Sequence, residues 1–229
     1  PFKPKDADLF SIISSFDAAY SAYNGYQGAM ERFWTMRYAQ QHGITLVVGA
    51  PAAPVVAGAL PAIGAWVLGA DGSVALYRKR HLHPSEERFA SAGTDDAQVL
   101  LLAGEPTALA VCADITHPEH AMAASNAGAA LYAAGVLISE KAYGAESALL
   151  QGYARTHGMA VLMANYGAPT GGYLCVGRSA LWAPGGDLVV AAPGVGACLV
   201  VGRRSEGGGA GAVAGGWTGA VLPVPGLAP

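Results

Sequence analysis

Apolar residues recur at helical spacing over about Ala29–His42, where Met30, Phe33, Trp34 and Tyr38 would share one face, and the pattern stops at Gly43. The unbroken apolar run Ile44–Val48 then predicts a strand. Two further strand-like runs, Ala62–Leu68 and Ser73–Arg78, flank Asp71-Gly72, the best hairpin signal in the chain. Gln98–Leu102 and Thr107–Cys112 bracket a second turn at Ala103-Gly-Glu-Pro106. Pro118 suits the first turn of a helix running to about Ala130, with a strand at Gly135–Ser139 after it. A helix over about Ala145–His157 should end at Gly158 and feed a strand over Met159–Asn165. The last strands pair around Pro184-Gly-Gly-Asp187. Hairpins mixed with helical crossovers predict a mixed sheet rather than a purely parallel one.

Composition narrows the functional classes. The chain has 229 residues, enough for one sizeable core within a single domain. Hydrophobic residues make up 52% and mean hydropathy is +0.33, but alanine supplies much of this, and no apolar stretch is long and uninterrupted enough for a spanning helix. The opening residues lack a basic segment followed by an apolar run, so no secretory leader is expected. A net charge of −3 and a pI near 6.1 carry no electrostatic footprint for nucleic acid or an anionic membrane. A small-molecule partner is the expectation. Three widely spaced cysteines, Cys112, Cys175 and Cys198, form neither a disulfide framework nor a zinc motif, which suits a reducing cytoplasm. The histidine spacings, His81 with His83 and His117 with His120, make no metal pattern, so no metal is expected.

Candidate chemistry concentrates in two segments. Cys112 ends an apolar strand-like run where a helix should begin, so unpaired N–H groups and a helix dipole would favour its thiolate. Tyr77–Phe89 is the densest cluster of ionisable groups in a chain that is only 13% charged, and Lys79 sits just past a strand end within it. A cation fixed there and brought near Cys112 would lower the thiol pKa and stabilise an oxyanion.

These segments resemble the carbon–nitrogen hydrolase family, the nitrilase superfamily. Tyr77, Arg78, Lys79, His81, Leu82 and Glu86 match the family's lysine motif, and Cys112, Asp114, Pro118 and Glu119 match its nucleophile motif. Ile44–Pro51, Met159–Asn165 and Gly177–Gly186 look like further family segments in the family's order, so the likeness runs from about residue 28 to residue 202. The resemblance implies an α/β fold, a four-layer αββα sandwich of two mixed sheets with helices on the outer faces. It divides the chain into a hydrolase-like domain, 1–202, and a Gly/Ala/Pro-rich tail, 203–229, expected to be draped or to anchor through Trp217 on a neighbouring subunit of a homodimer or larger homo-oligomer.

The resemblance also implies a chemistry: hydrolysis of a non-peptide C–N bond in a small amide or carbamoyl compound through a cysteine thioester, with no metal or organic cofactor required. Cys112 would be the nucleophile, Lys79 with the backbone N–H of Ala113 would hold the oxyanion, and Glu86 and Glu119 would assist. His117, Tyr143 and Asn165 would approach the substrate. Ala113-Asp114 departs from the Cys-Trp-Glu of true nitrilases and looks like the amidase branches. The family's third catalytic residue, a glutamate in a Phe-Pro-Glu context on an early strand, has no counterpart before Lys79, where Glu31 is the only glutamate. If Ala7–Ser14 is that strand, Ser14 or Ser15 falls near the glutamate's place; alternatively the strand that bears it is not in this chain. The second reading is a catalytically inactive family member acting as a binding or structural subunit.

Overall fold

Alternation along the strands sets the layering. The computed structural model describes residues 10–13, 35–54, 56–94, 98–168, 174–205 and 213–224. One sheet has the order β1-β2-β3-β4, with β1 Phe10–Ile13, β2 Thr45–Ala52, β3 Ala62–Leu68 and β4 Val74–Arg78. The other has the order β10-β9-β8-β7-β6-β5, with β5 Val99–Leu102, β6 Glu105–Val111, β7 Leu131–Val136, β8 Ala160–Asn165, β9 Ala180–Trp182 and β10 Leu188–Ala191. β1 pairs in parallel with β2, and β6, β7 and β8 run parallel; the remaining pairs in these sheets are antiparallel. Both sheets are mixed.

Because side chains alternate across a strand, each sheet presents two different apolar faces. Leu109 and Val111 of β6, Leu131 and Ala133 of β7 and Ala160 of β8 meet Val47, Ile63, Ala65, Val67 and Tyr77 of the first sheet, forming the core between the sheets. The intervening Ala108, Ala110, Tyr132, Ala134, Val161 and Met163 pack outward against helices α2 (Pro118–Asn126) and α3 (Glu140–His157). On the far side of the first sheet, Leu46 and Leu68 bury Met36 and Ala39 of α1, residues 35–42. The result is the four-layer αββα sandwich. Strands covered on both faces account for much of the high apolar fraction, and among the described residues no helix is long and apolar enough to cross a bilayer.

Several boundaries differ from the sequence expectation. α1 does stop at Gly43, which takes φ +64. α2 ends at Asn126 rather than near Ala130, and β7 starts at Leu131 rather than Gly135. The alanine-rich Ala129–Ala134 reads as helix by propensity, but parallel pairing with β6 draws it into the sheet. α3 begins at Glu140, not Ala145, because Gly144 lies inside the helix and does not interrupt it.

Regular structure continues in the described part of the C-terminal segment. β11 (Cys198–Arg204) and β12 (Trp217–Pro223) form an antiparallel ribbon. Trp217 packs on this chain's own inter-sheet core, and Arg204 stacks over its ring while making two bonds to Glu105, of 2.9 and 2.6 Å. A weakly patterned sequence forms a strand here because the partner strand and the indole supply the burial that its own side chains lack. β1 falls within the early strand expected over Ala7–Ser14; Ser14, Ser15 and Glu31 lie outside the described residues.

Candidate active site

The parallel strands β6, β7 and β8 end at Val111, Val136 and Asn165, and the candidate residues gather at these carboxyl ends, where open α/β sheets place their sites. Lys79 arrives from the other sheet. It extends β4 by one residue, its N–H bonding Ile63 O at 2.8 Å and its carbonyl accepting from Gly93 N at 2.8 Å. Its side chain is fully buried, and Nζ meets Glu86 Oε2 at 2.5 Å. Glu86 opens a 3₁₀ turn, Glu86–Arg88, and the same Oε2 accepts the His83 N–H at 2.7 Å. A buried ammonium requires such a partner, since an isolated charge out of water is strongly unfavourable.

Cys112 opens the 3₁₀ turn Cys112–Thr116 directly after β6, with φ +48. That left-handed backbone is costly for a residue with a β-carbon, on the order of 1–3 kcal/mol, and persists only where the surroundings hold it. Asp114 is the holding device. Its fully buried carboxylate accepts the Val111 N–H at 2.9 Å and the Tyr77 hydroxyl at 2.7 Å through Oδ2, and the N–H groups of Arg80 and His81 at 3.1 and 2.8 Å through Oδ1. One side chain thus ties the cysteine turn to the residues on both sides of Lys79.

Behind Asp114 lies a buried relay. The Tyr77 proton goes to Asp114, so His120 Nε2, 2.8 Å away, must donate to the Tyr77 oxygen, and His120 Nδ1 then accepts from the Tyr132 hydroxyl at 2.9 Å. This assignment requires a neutral imidazole, and burial holds the His120 pKa down to about 4. Burial, with the Asp114 charge beside them, also pushes both tyrosine hydroxyls well up from their ordinary value.

Cys112 is half-buried against the inter-sheet core. Burial raises its thiol pKa; the Lys79 cation opposes that, Glu86 adds to it, the backbone amide of Leu137 opposes it, and Glu146 of α3 adds to it. The thiolate favoured by the strand-to-turn position is therefore not the resting form, because desolvation and two carboxylates outweigh one cation and one amide. Cys175 and Cys198 are free thiols as well.

Other expected residues fall in different places. Ala113 follows Cys112 among the opening N–H groups of the turn, the groups that lack intrahelical partners. Asn165 is buried and engaged by backbone: Oδ1 accepts from Ile138 N at 2.8 Å, and Nδ2 donates to Gly177 O at 2.6 Å and Ile138 O at 3.4 Å. It shapes the loop after β7. Tyr143 donates to Arg178 O at 3.0 Å and lines a cavity of about 260 Å³ between α3 and β9–β10, together with Gln151 and Trp182; Cys112, Lys79 and Glu86 are not part of that lining. His117 and Glu119 meet each other and His81, two residues past Lys79. The Glu119 carboxylate is 60% exposed and lies 3.2 Å from His117 Nδ1 and 3.9 Å from His81 Nε2, a cluster of metal-ligating groups on the rim. His120, which shares spacing with His117 in the sequence, points inward instead.

Sequence reasoning did not single out Tyr77, His120 or Tyr132 as a network, or Glu146 as a charge facing the thiol. Tyr77 had a visible signal, its alternation with Lys79 on one strand face. Glu146 had only its helical spacing from Tyr143 and Leu150.

The chain is similar to known proteins over most of its length. The carbon–nitrogen hydrolase family matches residues 9–201. No curated protein matches the chain. Among solved structures, a cysteine-to-alanine variant of the Nesterenkonia AN1 amidase from the nitrilase superfamily has a TM-score of 0.73 and 25% identity, covering 81% of this chain and 73% of that one. A glutamate-to-glutamine variant, which shows covalent addition of the acetamide moiety of fluoroacetamide at the active-site cysteine, gives the same figures. A cysteine-to-alanine variant in complex with butyramide has a TM-score of 0.70 and 26% identity, covering 77% of this chain and 67% of that one. With most of its length matched, the chain belongs to the carbon–nitrogen hydrolase family.

Proposed function

We propose that the chain hydrolyses a non-peptide C–N bond in a small amide or carbamoyl compound through a thioester on Cys112. The observation that carries this is the Lys79–Glu86 pair, held at 2.5 Å with both charges acting on the half-buried Cys112 thiol. A thiol whose pKa is raised needs a base at the moment of attack. Glu86 Oε2 is occupied by Lys79 and His83, and Oε1 is the oxygen that can accept the thiol proton. As sulfur bonds to the carbonyl carbon, the Lys79 ammonium and the Ala113 N–H face the developing oxyanion, a contribution of roughly 10²–10³ in rate per donor. Collapse breaks the C–N bond, the proton passes from Glu86 to the departing nitrogen, and ammonia or an amine leaves. Water then adds to the thioester, releasing the carboxylic acid and restoring the thiol. The butyramide complex of the related amidase supports a small aliphatic amide as the substrate class.

The lack of a Phe-Pro-Glu before Lys79 favours a second reading, a non-catalytic subunit with the family fold. In the related amidase, a variant with glutamine in place of one glutamate carries a covalent adduct on its active-site cysteine, which supports a cysteine nucleophile in this fold. Ammonia release from a panel of small aliphatic and carbamoyl amides, with Cys112→Ala as the control, separates the readings. Release that the substitution abolishes supports hydrolysis; no release from either chain supports the subunit.

A further inference from the structure

We propose that His81, His117 and Glu119 form a binding site for one divalent transition-metal ion of the class that imidazole favours, such as zinc or cobalt(II). Two separate segments supply the ligands. His81 lies two residues past Lys79, while His117 caps α2 and Glu119 sits in its first turn. One ligand atom from each comes within 4.8 Å of the other two. Two nitrogens and one carboxylate oxygen, with solvent at the remaining position, is a familiar zinc donor set.

Asp114 is the second observation. Its Oδ1 lies 3.1 Å from His81 Nδ1 and is buried, so Nδ1 carries the hydrogen, and in the neutral tautomer the lone pair is then on Nε2. A carboxylate holding the far nitrogen of a histidine is the arrangement that orients metal-ligating imidazoles and fixes their tautomer. The oriented Nε2 faces Glu119 Oε1 at 3.9 Å. With the lone pair on Nε2 neither atom donates a hydrogen to the other, so this approach is not itself a hydrogen bond. A cation between them satisfies both.

His117 completes the set from the open side. Its Nδ1 is 3.2 Å from Glu119 Oε1, and its ring stacks on His81 at 3.9 Å between centroids and 13° between planes. Rings so nearly parallel cannot both direct in-plane lone pairs at one point, so ligation requires the His117 ring to turn. That is feasible because His117 is 38% exposed and its ring is hydrogen-bonded by Glu119 alone, whereas His81 is pinned by Asp114. The site is joined to the cysteine turn through Asp114, so an ion there would brace the segment that follows Lys79.

Titration of the full chain with cobalt(II), followed by calorimetry and visible absorption, tests this. The expected result is one ion per chain, a ligand-field spectrum of low coordination number, and no thiolate-to-cobalt charge-transfer band. Glu119→Gln should weaken binding about tenfold or more and His117→Ala should abolish it, in line with the sensitivity of metal sites to single changes in and around the ligand set. Both side chains are substantially exposed, and unchanged far-ultraviolet circular dichroism of the variants confirms the fold. Absence of uptake, uptake that neither substitution alters, or a thiolate band marking a cysteine ligand would each overturn the proposal.

Discussion

The Tyr77 hydroxyl donates to Asp114 Oδ2 at 2.7 Å, and this bond joins a residue two before Lys79 to a residue two after Cys112. The ammonium and the thiol come from different sheets, and this buried contact sets their separation. Tyr77→Phe removes the donor to Asp114 and leaves His120 Nε2 without its acceptor. The expected cost is about 1–3 kcal/mol, the usual penalty for leaving buried polar groups unsatisfied. Thermal melting measures it, and amide turnover by the same variant should fall even at temperatures where it remains folded.

Burial and the two nearby carboxylates set the reactivity of Cys112. Because the folded thiol has a raised pKa, its thiolate fraction is small at neutral pH and grows as pH rises past the ordinary thiol range. Alkylation by iodoacetamide should therefore keep accelerating with pH beyond the point at which a free cysteine levels off. Glu146→Gln removes one of the charges that raise the pKa, so its neutral-pH alkylation should be faster, by roughly two- to tenfold, with the inflection moved to lower pH. An unchanged profile in this variant would remove Glu146 from the electrostatics of the site.

Two glycines should respond oppositely to alanine. A β-carbon at Gly152, inside α3, meets no neighbouring atom within 4 Å, so Gly152→Ala should stabilise the fold by about 0.5–1 kcal/mol through helix propensity. That corresponds to a rise in melting temperature of a few degrees at most for a chain of this size. Gly177 takes φ +62, and a β-carbon there would lie 2.3 Å from Gly194 O. Gly177→Ala must therefore move backbone, and it should lower the melting temperature and disturb the Asn165 bond to Gly177 O.

Much of the fold was legible because its strands are covered on both faces. Ala62–Leu68 was legible end to end, since a purely apolar run between turn signals leaves one reading. Leu131–Ala134 was not, because alanine suits a helix as well as a small-residue strand, and only pairing with β6 decides. Trp217–Pro223 has little pattern of its own and forms a strand because Cys198–Arg204 lies beside it.

The site divides in the same way. The residue types and their spacing, Lys79 with Glu86 and Cys112 with Asp114, were present in the sequence alone, where their roles rested on the family resemblance and local pattern marked a strand end before Lys79 and a turn at Cys112. The placement of Lys79 against Cys112, the burial that raises the thiol pKa, and the meeting of His81 with His117 and Glu119 were decided by the tertiary structure. These are properties of distances between distant segments and of exclusion from water, and no local pattern encodes either until two sheets pack face to face.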